Sequence, residues 1–167
     1  MVLTKSELIT LLQNEVRILL HLAGKLDRSS LDYRPTAKQR SALELLRYLS
    51  IMGPTIIKVG NGQADMAAWN AAVAEADTRD FDQTVAVIAQ QKQVYEELLG
   101  AMSDEAFRGE VTNFDGSKTS RGVFFVRYVL NGHAAYRTQL FLYLKSCGCD
   151  ELNTRNLWSG VDAMATA

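Results

Sequence analysis

Proline, cysteine and histidine are scarce in this sequence, which contains two of each among 167 residues. The low proline count and a hydrophobic fraction of 47% exclude the composition of a disordered chain. The cysteines, Cys147 and Cys149, are too close together for a long-range disulfide, and their one-residue spacer differs from the spacer of a thioredoxin-type motif. We therefore expect surface thiols in a reducing compartment.

The chain also lacks an excess of either charge, since 18 basic residues stand against 19 acidic ones. Without a basic block it has no electrostatic basis for binding nucleic acid. It contains no apolar run of about 18 residues, and its start at Met1–Lys5 leads into an amphipathic helix rather than a cleavable apolar segment. We expect a cytoplasmic protein that binds neither membrane nor nucleic acid.

Apolar residues recur at spacings of three and four over most of the chain, which is typical of amphipathic helices. Capping boxes at Thr4–Glu7 and Ser41–Glu44 begin the first two of them. The patterns predict four long helices, at about residues 4–26, 41–58, 81–102 and 121–145. Shorter features are a marginal helix at 65–76, one helical turn at 103–107, and a loop or hairpin at 110–118 with Asp115-Gly116 as its turn.

The fold class predicted from this pattern is all-α, an up-down four-helix bundle with a long connection between the second and third helices. The connection, about twenty residues with its short helix, is long enough to cross the bundle. We expect one domain over residues 1–167, with the bundle at about 4–148 and a C-terminal tail at 149–167.

The fourth long helix has an unusual apolar face, because it carries a glycine and two tyrosines. That face consists of Phe125, Val129, Gly132, Tyr136, Leu140 and Tyr143. His133 is predicted to border it, as a core-edge histidine or as an acid/base group whose charge changes near neutral pH. The other histidine, His21, is predicted to be exposed.

Several short patterns resemble those of the DinB-like (YfiT-like) four-helix-bundle family. They are Leu45-Leu46-Arg47-Tyr48-Leu49 in the second helix, Tyr136-Arg137-Thr138-Gln139-Leu140 in the fourth, the following Tyr143-Leu144 and Gly148, and Arg34-Pro35-Thr36 in the first connector. The resemblance spans about Leu8 to Gly148. It implies a DinB-like bundle and, in typical members, a divalent metal held by three histidines for thiol transfer, isomerisation or hydrolysis.

The ligand positions that this resemblance implies are Tyr48, Gly132 and Tyr136, and none of them is histidine. With two histidines in the whole chain, a site of three histidines cannot form within it. We therefore predict no metal and no other cofactor. Since the second and fourth helices face each other in the family, the candidate pocket residues are Tyr48, His133 and Tyr136, with Arg137 near the rim.

Three functions remain open at this point. The first is a DinB-like protein that has lost the metal site and either binds a small ligand or is catalytically degenerate. The second is an active thiol transferase or hydrolase with non-standard metal ligands. The third is a dimeric interaction module. A homodimer is expected in any case, through apolar residues outside the main stripes, namely Leu46, Phe124 and Phe141.

Overall fold

The computed structural model describes residues 3–162, and the last part of the expected tail, residues 163–167, lies outside it. Both predicted capping boxes are present. The hydroxyl of Thr4 accepts from the amide of Glu7 at 3.2 Å, and the Glu7 carboxylate accepts from the Thr4 amide at 2.7 Å. Ser41 and Glu44 repeat this pair of bonds at 3.2 and 2.7 Å. Local chemistry thus sets where these two helices begin.

The four long helices are confirmed. They are α1 (Lys5–Ala23), α2 (Ala42–Gly60), α4 (Phe81–Gly100), and a fourth made of α6 (Arg121–Phe125), a π-helical turn (Val126–Leu130) and α7 (Asn131–Ser146). Pro54 lies inside α2, which continues past it as one helix. The shorter elements are a 3-10 turn (Arg28–Ser30), α3 (Met66–Asp77), α5 (Asp104–Arg108), β1 (Glu110–Thr112), β2 (Lys118–Ser120) and α8 (Thr154–Ser159).

Contacts between the helix ends give the direction of each helix. Lys5, at the start of α1, donates to the carbonyl of Gly100 at 3.4 Å, so α1 and α4 run antiparallel. Arg121 donates to the carbonyl of Gly60 at 2.8 Å, and the Tyr143 hydroxyl donates to the carbonyl of Arg40 at 3.0 Å. The fourth helix is therefore antiparallel to α2.

The second and third long helices run in the same direction, since Arg47, near the start of α2, donates to the carbonyl of Arg79 just before α4 at 2.8 Å. Two successive helices that are parallel neighbours need a connection that returns along the whole bundle. The segment that contains α3 provides that return and packs against α2. The predicted all-α bundle with a long crossing connection is thus confirmed.

The core lies between four helices in which α1 and α2 occupy opposite corners, each packed against α4 and the fourth helix. Its fully buried side chains are mainly aliphatic and include Leu8, Leu12, Leu19, Leu45, Leu46, Leu49, Phe124, Phe125 and Leu144. Within residues 3–162, no helix has both the length and the apolar composition to cross a membrane.

The predicted hairpin is present as an antiparallel pair of β1 and β2, with Val111 opposite Thr119. Gly116 has φ of 83°, a left-handed conformation that favours glycine and follows from its place in the predicted Asp115-Gly116 turn. Asn113 and Ser117 close the loop through a backbone bond of 2.8 Å. The hairpin places Phe114 beside the fourth helix, against Phe124 and Tyr128.

The prediction that His21 is exposed is wrong. Its side chain is 17% exposed, because α8 packs against α1 and covers it. The side-chain nitrogen of Asn156 lies 3.1 Å from Nε2 of His21, and Asp162 is 3.7 Å from the same atom. The sequence pattern did not show that this C-terminal segment returns to α1.

Two of the three residues expected at a dimer surface are in the core instead. Leu46 is fully buried because α2 is covered on several sides, by α3, α4 and the fourth helix. Phe124 is 1% exposed because the hairpin folds over it and Phe114 packs against its ring. Phe141 is half-buried. Leu46 and Phe124 therefore cannot supply a contact with a second chain.

Candidate functional site

A cleft of about 730 Å³ opens between α2, α3 and the fourth helix. We call it the aromatic cleft, and its lining residues are Tyr48, Ile56, Val59, Asp65, Met66, Trp69, Phe114, Arg127, Tyr128, Asn131, Gly132, Ala135 and Tyr136. It is larger than an apolar groove of about 560 Å³ beside Phe107 and Val123. Its size and mainly apolar lining are those of small-molecule sites in proteins.

Two tyrosines from facing helices meet in this cleft. The rings of Tyr48 on α2 and Tyr136 on α7 lie edge to face, with centroids 4.9 Å apart, and Trp69 on α3 packs against Tyr48 at 6.1 Å. Burial, followed by the adjacent hydroxyl of Tyr136, raises the pKa of Tyr48 above its ordinary value of 10.0. Tyr48 is therefore a neutral phenol at physiological pH, which can donate a hydrogen bond but does not act as a base.

The opposite wall comes from the hairpin and the π-helical turn. Phe114 packs its ring against Tyr128 at 4.8 Å, yet 62% of its surface is exposed at the mouth of the cleft. Arg127 reaches Asp115 of the hairpin at 3.4 Å. This ion pair is exposed and contributes little stability, but it lies where the hairpin meets the helix.

The π-helical turn widens the fourth helix beside the cleft. The amide of Asn131 bonds the carbonyl of Val126, five residues earlier, instead of the carbonyl four residues earlier. Such turns hold one extra residue and are often found at functional sites. Tyr128 of this turn packs against Phe114, and the two residues that follow the turn, Asn131 and Gly132, line the cleft.

His133 does not lie in the aromatic cleft, and its expected place at the edge of the core is wrong because it is 1% exposed. Its Nε2 is 2.5 Å from the hydroxyl of Tyr95 on α4, which in turn lies 3.2 Å from the side-chain oxygen of Gln91. Gln91 donates to the carbonyl of Leu49 at 2.8 Å. Burial, and then the positive charge of Arg137, lower the pKa of His133 to about 4.

These contacts determine the direction of each hydrogen bond. The Gln91 oxygen can only accept, so the single proton of the Tyr95 hydroxyl is donated to it. The Tyr95 oxygen then accepts from Nε2–H of a neutral His133, and each of these contacts has one donor and one acceptor. A side chain at Gly53 would come within 1.8 Å of the Tyr95 hydroxyl, so only glycine leaves room for this group.

Arg137 also points away from the aromatic cleft, and its expected place near the rim of the pocket is wrong. It is 4% exposed and forms an ion pair of 2.8 Å with Glu15 of α1, and it donates to the carbonyl of Leu157. Its guanidinium also lies 5.7 Å from the ring of Trp158. Burial raises the pKa of Glu15, while the charge of Arg137 acts in the opposite direction. Arg137 thus links α1, α7 and α8.

Of the four pocket residues expected from the sequence, the structure brings Tyr48 and Tyr136 together and places His133 and Arg137 in the bundle interior. The sequence reasoning missed the aromatic side chains that complete the cleft, Trp69, Phe114 and Tyr128. Phe114 directly precedes the predicted hairpin turn. An apolar residue at such a place could have indicated that the hairpin packs against the bundle. Nothing local indicated that Trp69 would face Tyr48.

The three positions that the resemblance implied as metal ligands, Tyr48, Gly132 and Tyr136, lack groups that favour a divalent ion. Tyr48 is a phenol whose raised pKa opposes the anionic form that a metal requires. Gly132 has no side chain that could bind an ion, and an added Cβ would make a tight contact of 3.2 Å with the sulfur of Met52. Within residues 3–162, no three His, Cys, Asp or Glu side chains are grouped so that they could hold an ion.

No protein-family model matches the chain, and no curated protein matches it by sequence. The structural comparison does find a match. A DinB-like protein, YjoA, from Bacillus subtilis has a crystal structure that superposes on this chain with a TM-score of 0.66 at 14% sequence identity. The match covers 88% of this chain and 96% of that one. The chain therefore has the DinB-like four-helix-bundle fold.

Proposed function

We propose that this chain binds a small, largely apolar molecule in the aromatic cleft, without a metal. The observation that carries the proposal is the cleft itself, a space of about 730 Å³ walled by five aromatic side chains from four separate elements. A bundle that needed only stability would fill such a space, because an open apolar cleft leaves surface in contact with water.

The tyrosine pair gives the cleft its polar specificity. Both hydroxyls belong to half-buried residues on facing helices, and Tyr48 remains a neutral donor. A phenol in an apolar site selects a ligand that brings a carbonyl, ether or hydroxyl oxygen to it, because a ligand without one leaves the donor unpaired. The remaining contacts would come from flat apolar parts of the ligand, which would stack against the rings of Trp69 and Tyr128.

Catalysis of the metal-dependent kind has less support than binding. The donor groups at Tyr48, Gly132 and Tyr136 do not suit a divalent ion, and the neutral His133 is enclosed by Tyr95 and Gly53 away from the cleft. We therefore favour a ligand-binding or catalytically degenerate protein of this fold over a thiol transferase or hydrolase with non-standard ligands.

The proposal also includes a cellular compartment and an oligomeric state. Cys147 and Cys149 are free thiols, which suits the reducing cytoplasm. A homodimer remains our expectation, and its contact would involve exposed apolar side chains such as Leu142 and Trp158, which are 57% and 69% exposed.

The test of binding is a fluorescence titration with N-phenylnaphthylamine, an uncharged aromatic probe that brightens in apolar surroundings. Ala135→Phe places a ring into the cleft from its α7 wall and should weaken binding about tenfold or more. Thr138→Phe introduces the same ring on an exposed position of α7 outside the cleft and should leave the affinity unchanged.

A chelator separates the metal-free proposal from its alternative. Pretreatment with EDTA should leave the dissociation constant of the probe unchanged in the wild-type protein. If the probe does not bind, or if both phenylalanine variants weaken it equally, the cleft is not the binding site. If EDTA abolishes binding, a metal is required and the proposal of metal-free binding is wrong.

A further inference from the structure

Next to the aromatic cleft lies a second space of about 450 Å³, and the two share Tyr48 and Trp69 as a common wall. We call it the arginine recess, because Arg40 and Arg47 line it. The two spaces differ in chemistry, since four charged side chains line the recess, whereas the cleft is mainly apolar and carries five aromatic rings. A molecule that crossed the edge of Tyr48 would meet an apolar surface on one side and, on the other, charged side chains that include two arginines.

Arg40 is the cation closest to this shared wall. Its guanidinium carbon lies 4.2 Å from the centroid of the Tyr48 ring, a cation–π contact on the face of the phenol. Among residues 3–162, no carboxylate lies within 4.0 Å of its nitrogens. A stacked guanidinium keeps its N–H edge free, and that edge matches the two oxygens of a carboxylate or similar oxyanion.

Glu44 also lines the recess, but its carboxylate is bound by other groups. Glu44 accepts from the amide of Ser41 at 2.7 Å and from Arg34 at 3.2 Å, and these contacts lower its pKa. Its charge is therefore held by the α2 capping box and by Arg34. Asp77, which also lines the recess, is exposed at the end of α3.

Arg47 adds a second positive charge to the lining of the recess. Its Nε donates to the carbonyl of Arg79 at 2.8 Å, and this fixes the half-buried side chain in place. A neutral carbonyl holds the guanidinium but does not cancel its charge. In the described part of the chain no carboxylate oxygen lies within 4.0 Å of the Arg47 nitrogens, although the charge of Arg47 contributes to the lowered pKa of Glu44. The recess thus carries two guanidiniums and two carboxylates, Glu44 and Asp77, but neither carboxylate is ion-paired with Arg40 or Arg47.

We propose that the ligand is an amphipathic anion. Its aromatic or aliphatic body lies in the aromatic cleft, and its carboxylate or similar oxyanion is bound by Arg40, with Arg47 adding to the field. This inference rests on the proposed function and names the chemical class of the ligand. The nearly neutral charge of the whole chain gives no general attraction for anions, so the preference must come from these two side chains.

The test compares two probes with the same aromatic body. Anilinonaphthalene sulfonate carries an anion, whereas N-phenylnaphthylamine does not. Wild-type protein should bind the sulfonate at least tenfold more tightly. Arg40→Gln should remove that advantage and change the affinity for the uncharged probe less than twofold. The matched control is Arg155→Gln, which removes an exposed arginine on α8 outside both spaces and should affect neither probe.

Each outcome decides one proposal. If the uncharged probe binds and the sulfonate is no tighter, or if Arg40→Gln and Arg155→Gln weaken the sulfonate equally, the anion proposal is wrong and the binding function stands. If the uncharged probe does not bind at all, the proposed function itself is wrong. Arg40→Lys keeps the charge but loses the paired N–H edge, so it should retain part of the advantage. If Arg40→Gln does not fold, Arg40→Lys replaces it in the test.

Discussion

The buried polar side chains around Tyr95 satisfy one another's hydrogen bonds. Tyr95 is fully buried and bonds residues from α4 and α7, while Gly53 of α2 leaves the space for its hydroxyl. A buried donor or acceptor without a partner costs more than an ordinary hydrogen bond contributes. The three helices are therefore held in one relative rotation by contacts that no apolar side chain would reproduce.

Removal of the Tyr95 hydroxyl tests this dependence. Tyr95→Phe leaves Nε2 of His133 and the side-chain oxygen of Gln91 without a partner in a dry site, so the free energy of unfolding should fall by about 1–3 kcal/mol. Tyr33→Phe is the matched control, because the Tyr33 hydroxyl makes no hydrogen bond within residues 3–162 and its loss should cost less than about 0.5 kcal/mol. Urea unfolding measures both, and equal losses would contradict the assigned network.

The depressed pKa of His133 predicts a loss of stability in acid. Its pKa is about 4 in the folded protein and near 6.5 in an exposed chain, so the unfolded state binds the proton more readily between these values. The stabilising contribution is complete above pH 6.5 and is lost as the pH falls toward 4, by up to about 1.4 kcal/mol per pH unit.

Urea unfolding at a series of pH values measures this effect. His133→Gln should show a smaller slope between pH 6.5 and 4, because the other titrating groups are common to both proteins and only His133 differs. Identical slopes for the two proteins would show that His133 is not a buried neutral group.

At the scale of elements, the hairpin and the π-helical turn act together as one wall of the aromatic cleft. The hairpin is too short to be stable alone, and it is held by Phe114 packing on the fourth helix and by the Arg127–Asp115 pair. The π-helical turn supplies the surface that Phe114 contacts. Phe114 in this wall is 62% exposed, so the wall is a place where the cleft can adapt to a ligand.

Truncation of the hairpin's aromatic residue tests its part in binding. Phe114→Ala should weaken the binding of N-phenylnaphthylamine by about fivefold, because one wall of the cleft is removed. The melting temperature should change little, because Phe114 anchors the hairpin and is not part of the core between the helices. Lys118→Ala, on β2 of the same hairpin and outside the cleft, should leave binding unchanged. Unchanged binding in the Phe114 variant would exclude the hairpin from the site.

At the scale of the whole molecule, ion pairs and hydrogen bonds join segments that are far apart in sequence. The Glu15–Arg137 pair connects α1 to α7, and Arg137 also holds α8 through the carbonyl of Leu157. Lys25 and Asn156 both contact Asp162, at 2.8 and 2.9 Å. These contacts leave the ring of Trp158 69% exposed on the outer side. An exposed indole on an anchored helix is a candidate contact for a second copy of the chain.

Light scattering at tens of micromolar measures the oligomeric state, and we expect the mass of a dimer. Trp158→Ser should shift the protein toward the monomer if α8 lies in the contact. Met66→Ser, which removes an equally exposed apolar side chain at the mouth of the cleft, should not change the mass. A wild-type protein with the mass of one chain would rule out the dimer.

The sequence by itself determined the elements of this protein, because the forces that form them are local. Capping boxes at Thr4 and Ser41, apolar spacings of three and four, and the Asp115-Gly116 turn act over a few residues, and the helices and the hairpin were predicted from them. The pairing of Tyr48 with Tyr136 was predicted through the resemblance to a known bundle, which supplied the missing long-range information.

The tertiary structure alone decided which way each side chain faces and what it meets. His133 and Arg137 are polar, and no local rule predicts that they are buried, because their partners Tyr95 and Glu15 lie on other helices. The π-helical turn adds a residue and so changes the rotation of everything that follows it, which a regular helical period cannot represent. The aromatic cleft exists only where α3 returns along the bundle, and its shape depends on packing between residues far apart in the chain.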